Sequence, residues 1–176
     1  MPYDRITQPP LVLHSANGRP EIDFDYYLPF GLTAIANKMS RSASRSYLRR
    51  FGVGINEWRI LANLRACPGN TANNICQRSG LDKAAVSRSL ALLDAAGMIE
   101  TDKTPSDNRG RNLRLTPRGD ALHDRLIKVA LQREARLLTD FSPTERQLLL
   151  DFVARLHANI PLVQQDDYED GSDSAE

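Results

Sequence analysis

Apolar positions recur every three to four residues along most of the chain, and only one short region alternates. In residues 24–51, FDYYLPFGLTAIANKMSRSASRSYLRRF, the positions Leu28, Leu32, Ile35, Met39, Ala43 and Tyr47 keep helical spacing. That spacing predicts one long helix with a buried face. Pro29 suits its first turn, where no backbone N–H is needed. The other faces carry Lys38, Arg41, Arg45, Arg49 and Arg50, with no acid among them. Gly52-Val53-Gly54 breaks the pattern. Asn56 is expected to cap a second helix, EWRILANLRA, which stops before Pro68-Gly69. Thr71 opens a short third helix, ANNICQRSG, ended by Gly80. Asp82 caps a fourth, KAAVSRSLALLDAAG, closed by Gly97. Residues 98–103 and 111–115 alternate as strands and are joined by TPSDNRG. Thr116-Pro117 starts a helix to about Thr139. The capping-box residues Ser142 and Glu145 start a last helix to about Asn159. On it Leu149, Phe152, Leu156 and Ile160 again share one face.

The order is therefore four helices, two strands and two helices. Two short strands cannot form a core sheet, so they predict a β-hairpin attached to a mainly α body. Residues 1–22 hold Pro2, Pro9, Pro10, Gly18 and Pro20, and read as an extended arm with little structure of its own.

Composition narrows the class. A chain of 176 residues with 41% apolar content suits one domain with helical extensions. No run approaches the roughly 20 apolar residues that cross a bilayer. The start MPYDRITQPPLVLH lacks the basic and apolar regions of a secretory signal, so a cytoplasmic protein without membrane partners is expected. Cys67 and Cys76 lie in no metal-ligand spacing and fit reduced thiols. Neither a metal nor a cofactor is expected. There is no Gly-rich phosphate loop and no nucleophile elbow, and His14, His123 and His157 are scattered, which argues against an enzyme. The 23 Lys and Arg nearly balance the 22 acids, but six of those acids fall in residues 166–176. The remaining body is basic and suits a polyanionic partner, although a solubilising acidic tail would leave the same imprint.

Residues 71–97 give that partner a shape. Two short helices meet at Ser79-Gly80-Leu81, as in a helix-turn-helix. On the second, Val86, Leu90 and Leu93 form an apolar stripe. Lys83, Ala84, Ser87, Arg88 and Ala91 form a small, polar, basic outer side that fits a major groove about 12 Å wide. A plain solvated helix face would look the same. The hairpin that follows tips the balance, because its turn carries Asp107, Arg109 and Arg111. The arginines suit a narrow, negative minor groove, and Asp107 is placed to orient an arginine rather than to meet phosphate. The candidate DNA-binding residues are Thr71, Lys83, Ala84, Ser87, Arg88, Asp107, Arg109 and Arg111.

EWRIL at 57–61, DKAAVSRSLALLDAAGMI at 82–99 and DNRGRNLRLTPRG at 107–119 resemble the multiple-antibiotic-resistance regulator (MarR) family over about residues 25–160. The resemblance implies a winged helix-turn-helix homodimer with intertwined terminal helices. It also implies a palindromic double-stranded operator, commonly repression, and release by a small aromatic or phenolic effector. It places Ser87 and Arg88 in the major groove and Arg109 in the minor groove. Gly110-Arg111 departs from the adjacent arginine pair common in the wing. The division that follows is an arm at 1–22, dimerisation helices at 23–51 and 117–163, a DNA-binding lobe at 52–116, and an acidic, disordered tail at 164–176.

In this fold an effector crevice is expected between the first, second and fifth helices. Its candidates are Arg41, Ser44, Arg45, Tyr47, Trp58 and His123, a set suited to an aromatic carboxylate or its thioester. Each also has a plainer role: Trp58 as core, the arginines and His123 as surface. Two other functions stay open: a thiol redox sensor through Cys67 and Cys76, and a winged-helix protein-interaction module.

Overall fold

The structure, a computed structural model, describes residues 12–14, 17–101 and 112–165. The chain divides into two units, 1–127 and 128–176. The arm departs from expectation. Val12–His14 (β1) pairs antiparallel with Pro20–Ile22 (β2), with Val12 opposite Ile22. Gly18, at φ +76°, supplies the backbone conformation that lets the chain reverse between them. The first helix, α1, spans Leu28–Phe51, beginning at the first residue of its apolar pattern rather than at Phe24. A start at Phe24 would bury Pro29 beyond the first turn, where its missing N–H breaks the helix. Residues 23–27 instead form turns onto Asp23, whose carbonyl accepts the Tyr26 and Tyr27 N–H groups.

Gly52, at φ +75°, ends α1, and its N–H donates to the Leu48 carbonyl. The second helix, α2, spans Ile55–Ala66, and its cap is Gly54 rather than Asn56. The cause is Glu57, whose carboxylate folds back to accept the Gly54 N–H at 2.7 Å. A Cβ at residue 54 would lie 2.8 Å from that carboxylate, so a side chain there would make the carboxylate shift. The third helix, α3, covers Ala72–Ser79, and the fourth, α4, covers Lys83–Ala95. Thr71 Oγ1 accepts the Asn74 N–H, and Asp82 Oδ1 accepts the Ala85 N–H at 2.6 Å, as their cap positions predict.

Ile99–Thr101 (β3) and Leu113–Leu115 (β4) form the antiparallel hairpin stem, with Ile99 opposite Leu115. Asn70 extends this ladder. Its carbonyl accepts the Leu113 N–H, and the Leu113 carbonyl accepts from Gly69, both at 2.9 Å. The fifth helix, α5, runs Pro117–Leu137. Ile60, Leu61 and Leu64 from α2, Ile75 from α3, Val86 and Leu93 from α4, and Leu126 from α5 are the largest fully buried side chains. They close one apolar core under the hairpin stem.

The second unit holds α6, Pro143–Ala158, and α7, Ile160–Val163. The Ser142 capping box forms as expected, with Ser142 Oγ and the Ser142 N–H both donating to Glu145. The buried face expected of the first helix is only partly buried within one chain. Ala43 and Tyr47 are buried, but Leu28, Leu32, Ile35 and Met39 stay exposed on α1, as do Leu149, Phe152, Leu156 and Ile160. Helical spacing shows which side chains share a face, not whether the same chain covers it. Among the described residues no helix is long and apolar enough to cross a membrane, and no cluster of His, Cys, Asp and Glu is arranged to hold a metal ion.

Two outcomes test this reading. A Cβ at Gly119 would collide with the Met98 carbonyl, so Gly119→Ala is expected to destabilise the first unit by about 1–3 kcal/mol, read as a lower urea midpoint. The Ser142 hydroxyl, and then the Ser142 N–H, hold the Glu145 carboxyl below its ordinary pKa. The stabilisation it gives α6 is complete above the ordinary carboxylate range and lost as pH falls through the lowered value. Protection of the amides at the start of α6, measured relative to their intrinsic exchange rates, should therefore fall in acid, and Glu145→Gln should remove that step.

Candidate nucleic-acid interface

The α4 helix presents two chemically distinct sides. Ala85, Val86, Ser89 and Leu93 are buried, while Lys83, Ala84, Ser87, Arg88 and Ala91 are exposed. The exposed set has short side chains between two cations, so the helix backbone can approach a groove floor closely. Its first turn is already capped by Asp82, and Thr71 sits half-buried at the start of α3.

Ser89 is the polar member of the buried side, and its hydroxyl donates to Glu57 Oε1 at 2.6 Å. Glu57 thus uses one oxygen to fix the start of α2 and the other to hold the middle of α4. Sequence reasoning passed over this pair. The signal was Ser89, three residues after Val86 and four before Leu93, placed where the stripe calls for an apolar residue. A buried hydroxyl at such a place needs a partner.

The Leu-Thr-Pro-x-Gly stretch acts as a junction. Thr116 donates its hydroxyl to the Gly97 carbonyl at 2.7 Å, and the same oxygen accepts the Gly119 N–H at 3.1 Å. The Thr116 N–H donates to the Met98 carbonyl at 3.1 Å. The hairpin stem is thereby tied to the chain leaving α4. Gly119 is needed because the Met98 carbonyl occupies the space of a side chain. Asp107, Arg109 and Arg111 lie outside the described residues.

The candidate effector residues separate into two groups. Tyr47 and Trp58 meet edge-on at 6.1 Å, and Trp58 stacks on His123 at 5.5 Å between centroids. His123 is buried rather than at the surface, with Nδ1 3.2 Å from Asp124 Oδ1. The cause is its place one turn before Leu126 on the inner side of α5. Ser44 lies half-buried on the same side of α1, with its Oγ near Gly54. Arg41 and Arg45 are exposed and stand about 160–200° around α1 from buried Ala43, so the structure does not bring them to the rings. Two other cations share a groove with Trp58. Arg59 and Arg78 line, with Trp58, Asn63 and Ser79, an open groove of about 360 Å³. Isolated arginines on two helices gave no spacing to flag them. Arg59 Nη2 donates to Ser40, and Arg78 Nη1 lies 3.2 Å from Cys67 Sγ. Cys67 and Cys76 are both free and half-buried.

The model of the MarR family matches residues 51–111. A MarR/EmrR family transcriptional regulator from Acinetobacter sp. ADP1 is similar in structure with a TM-score of 0.76 at 30% identity, covering 80% of this chain and 99% of that one. The uncharacterized HTH-type transcriptional regulator YdgJ of Bacillus subtilis (strain 168) is 29% identical over 109 residues, 62% of this chain and 66% of that one, just under two thirds of its length. The S. aureus MepR–DNA complex shares the fold, with a TM-score of 0.67 at 19% identity, covering 77% of this chain and 98% of that one. The exposed polar side of α4, the hairpin stem beside it and these likenesses converge: the chain belongs to the MarR family of winged-helix, DNA-binding transcriptional regulators.

Proposed function

We propose that the protein is a ligand-responsive repressor that binds a palindromic operator as a homodimer. The observation that carries the DNA-docking mode is the exposed small, basic side of α4 on a buried back. In this reading Ser87 and Arg88 meet base edges in the major groove, with Ala84 allowing close approach. Lys83 and Thr71 meet phosphate. An arginine of the hairpin turn, Arg109 or Arg111, enters the adjacent minor groove, and Asp107 orients it. The homodimer is supported by the apolar faces of α1 and α6, which are exposed in the single chain. Twofold pairing of two copies would place two recognition helices about 34–36 Å apart, one turn of DNA. Arg88→Ala is expected to weaken operator binding by about 1–3 kcal/mol, roughly five- to 150-fold in Kd, in fluorescence anisotropy at physiological salt. Wild-type affinity in that variant would refute the docking.

The effector reading is an aromatic carboxylate or phenolic acid, or its thioester, stacked on Trp58. Support comes from the Tyr47–Trp58–His123 ring series and from Arg59 and Arg78 on the groove beside it. An aromatic acid gains ring stacking and a cation for its carboxylate at one place. Binding weakens the operator complex only if the ligand prefers the unbound spacing of the two lobes, and a coupling of about 2–3 kcal/mol gives roughly 30- to 150-fold. Benzoate-type acids are expected to raise the melting temperature, and saturated-ring acids of equal size to raise it less. Trp58→Leu should remove the difference; a shift that is equal for both ring types would count against stacking.

A further inference from the structure

The groove beside Trp58 has a one-sided chemistry. Trp58, Arg59 and Asn63 reach it from α2, and Arg78 and Ser79 from the end of α3. Ala62, one turn after Trp58, adds only a methyl group, so a flat ring meets little bulk there. No acid lines the groove. The side-chain oxygens that line it are already engaged. Asn63 Oδ1 accepts from the Asn70 amide at 2.6 Å. The Ser79 hydroxyl donates to the Ile75 carbonyl at 2.6 Å and accepts the Leu81 N–H at 3.4 Å. The donors are far less committed. Arg59 directs one N–H to the Ser40 hydroxyl, and Arg78 directs one to the weakly accepting Cys67 sulfur, both at 3.2 Å. Each guanidinium therefore keeps most of its N–H groups, and neither pairs with a carboxylate among the described residues. The Asn63 amide nitrogen is uncommitted as well. What the groove has left to offer is N–H donors, two positive charges and one aromatic ring.

We infer that this groove takes an aromatic dianion, a single ring bearing a doubly charged, oxygen-rich head, as in an aryl phosphate monoester or an aryl dicarboxylate. The inference rests on the effector reading above and narrows it. A monocarboxylate balances one guanidinium and leaves the other uncompensated beside it. A dianion balances both. Its several oxygens supply the acceptors that the lining lacks, and the planar N–H forks of two arginines match phosphate and carboxylate geometry. The same lining disfavours cations and zwitterions, because an ammonium group would meet two like charges and no carboxylate. At about 360 Å³ the groove is at the small end of ligand sites, which suits one ring with its head group.

Trp58 is the sole tryptophan of the chain, so its fluorescence in the full-length protein reports on the groove directly. The probes are benzoate, phthalate, phenyl phosphate and inorganic phosphate at about pH 8, where a phosphate ester carries close to two charges. Phenyl phosphate or phthalate is expected to quench Trp58 with a Kd roughly tenfold below that of benzoate. Whichever of the two binds more tightly identifies the head group as phosphoryl or dicarboxylate. Arg78→Gln should cut the preference for the dianion several-fold, and Arg78→Gln with Arg59→Gln should abolish it, with circular dichroism and an unchanged melting temperature without ligand confirming the fold. Benzoate binding as tightly as both dianions, or a preference that survives the double substitution, would overturn the dianion while leaving the stacking of an aromatic acid intact. Inorganic phosphate binding as tightly as phenyl phosphate would overturn the aromatic part. No response to any aromatic probe would overturn both this inference and the effector reading beneath it.

Discussion

The orientation of α4 rests on one carboxylate. Glu57 sits in the first turn of α2, half-buried, with both oxygens engaged. One accepts the Gly54 N–H and sets where α2 begins. The other accepts the Ser89 hydroxyl and fixes the rotation of α4 about its own axis. Turning α4 by one residue would swing Ser89 away by about 100° and carry Lys83 and Arg88 off the open side. Hydrogen bonds to an ionised acceptor are stronger than neutral ones, and their geometry is narrower. The apolar contacts of Val86 and Leu93 make α4 stick; the Glu57–Ser89 bond sets which side faces out.

The hairpin stem depends on a second set of backbone contacts. Thr116 joins the end of β4 to the chain leaving α4 through the Gly97 and Met98 carbonyls. Asn70 joins the same strand to the chain entering α3, and its side chain donates to Asn63 on α2 at 2.6 Å. Threonine, proline and glycine in the Leu-Thr-Pro-x-Gly stretch have separate duties. Threonine caps α5 and bonds backward, proline fits the first helical turn, and glycine leaves room for a carbonyl.

The parts of this protein that were legible in the sequence share a local cause. The α3 and α4 caps, the α6 capping box and the two sides of α4 are each decided within a few residues, and each appears where its residues imply. The parts that were missed depend on distant partners. Asn56 is a good cap by type, but the Glu57 carboxylate moves the start of α2 to Gly54. His123 looks like a surface residue until α5 lays it on Trp58. Arg41 and Arg45 are one turn apart, a spacing suited to a carboxylate, yet the burial of Ala43 and Tyr47 turns them outward. The β1–β2 pairing was hidden because a proline-rich segment predicts extended chain, and pairing needs only that plus one reversing glycine.

The Asn70 bridge has a mechanical consequence. Because Leu113 exchanges hydrogen bonds with both Gly69 and Asn70, the turn into α3 and the return strand of the hairpin cannot slide past one another without breaking a ladder. The helix pair and the hairpin stem then behave as a single stiff plate. Such a plate can tilt, but it has little freedom to bend. Any influence on the exposed side of α4 therefore arrives as a change of angle shared by the whole plate, so that contacts made by it would be gained or lost together.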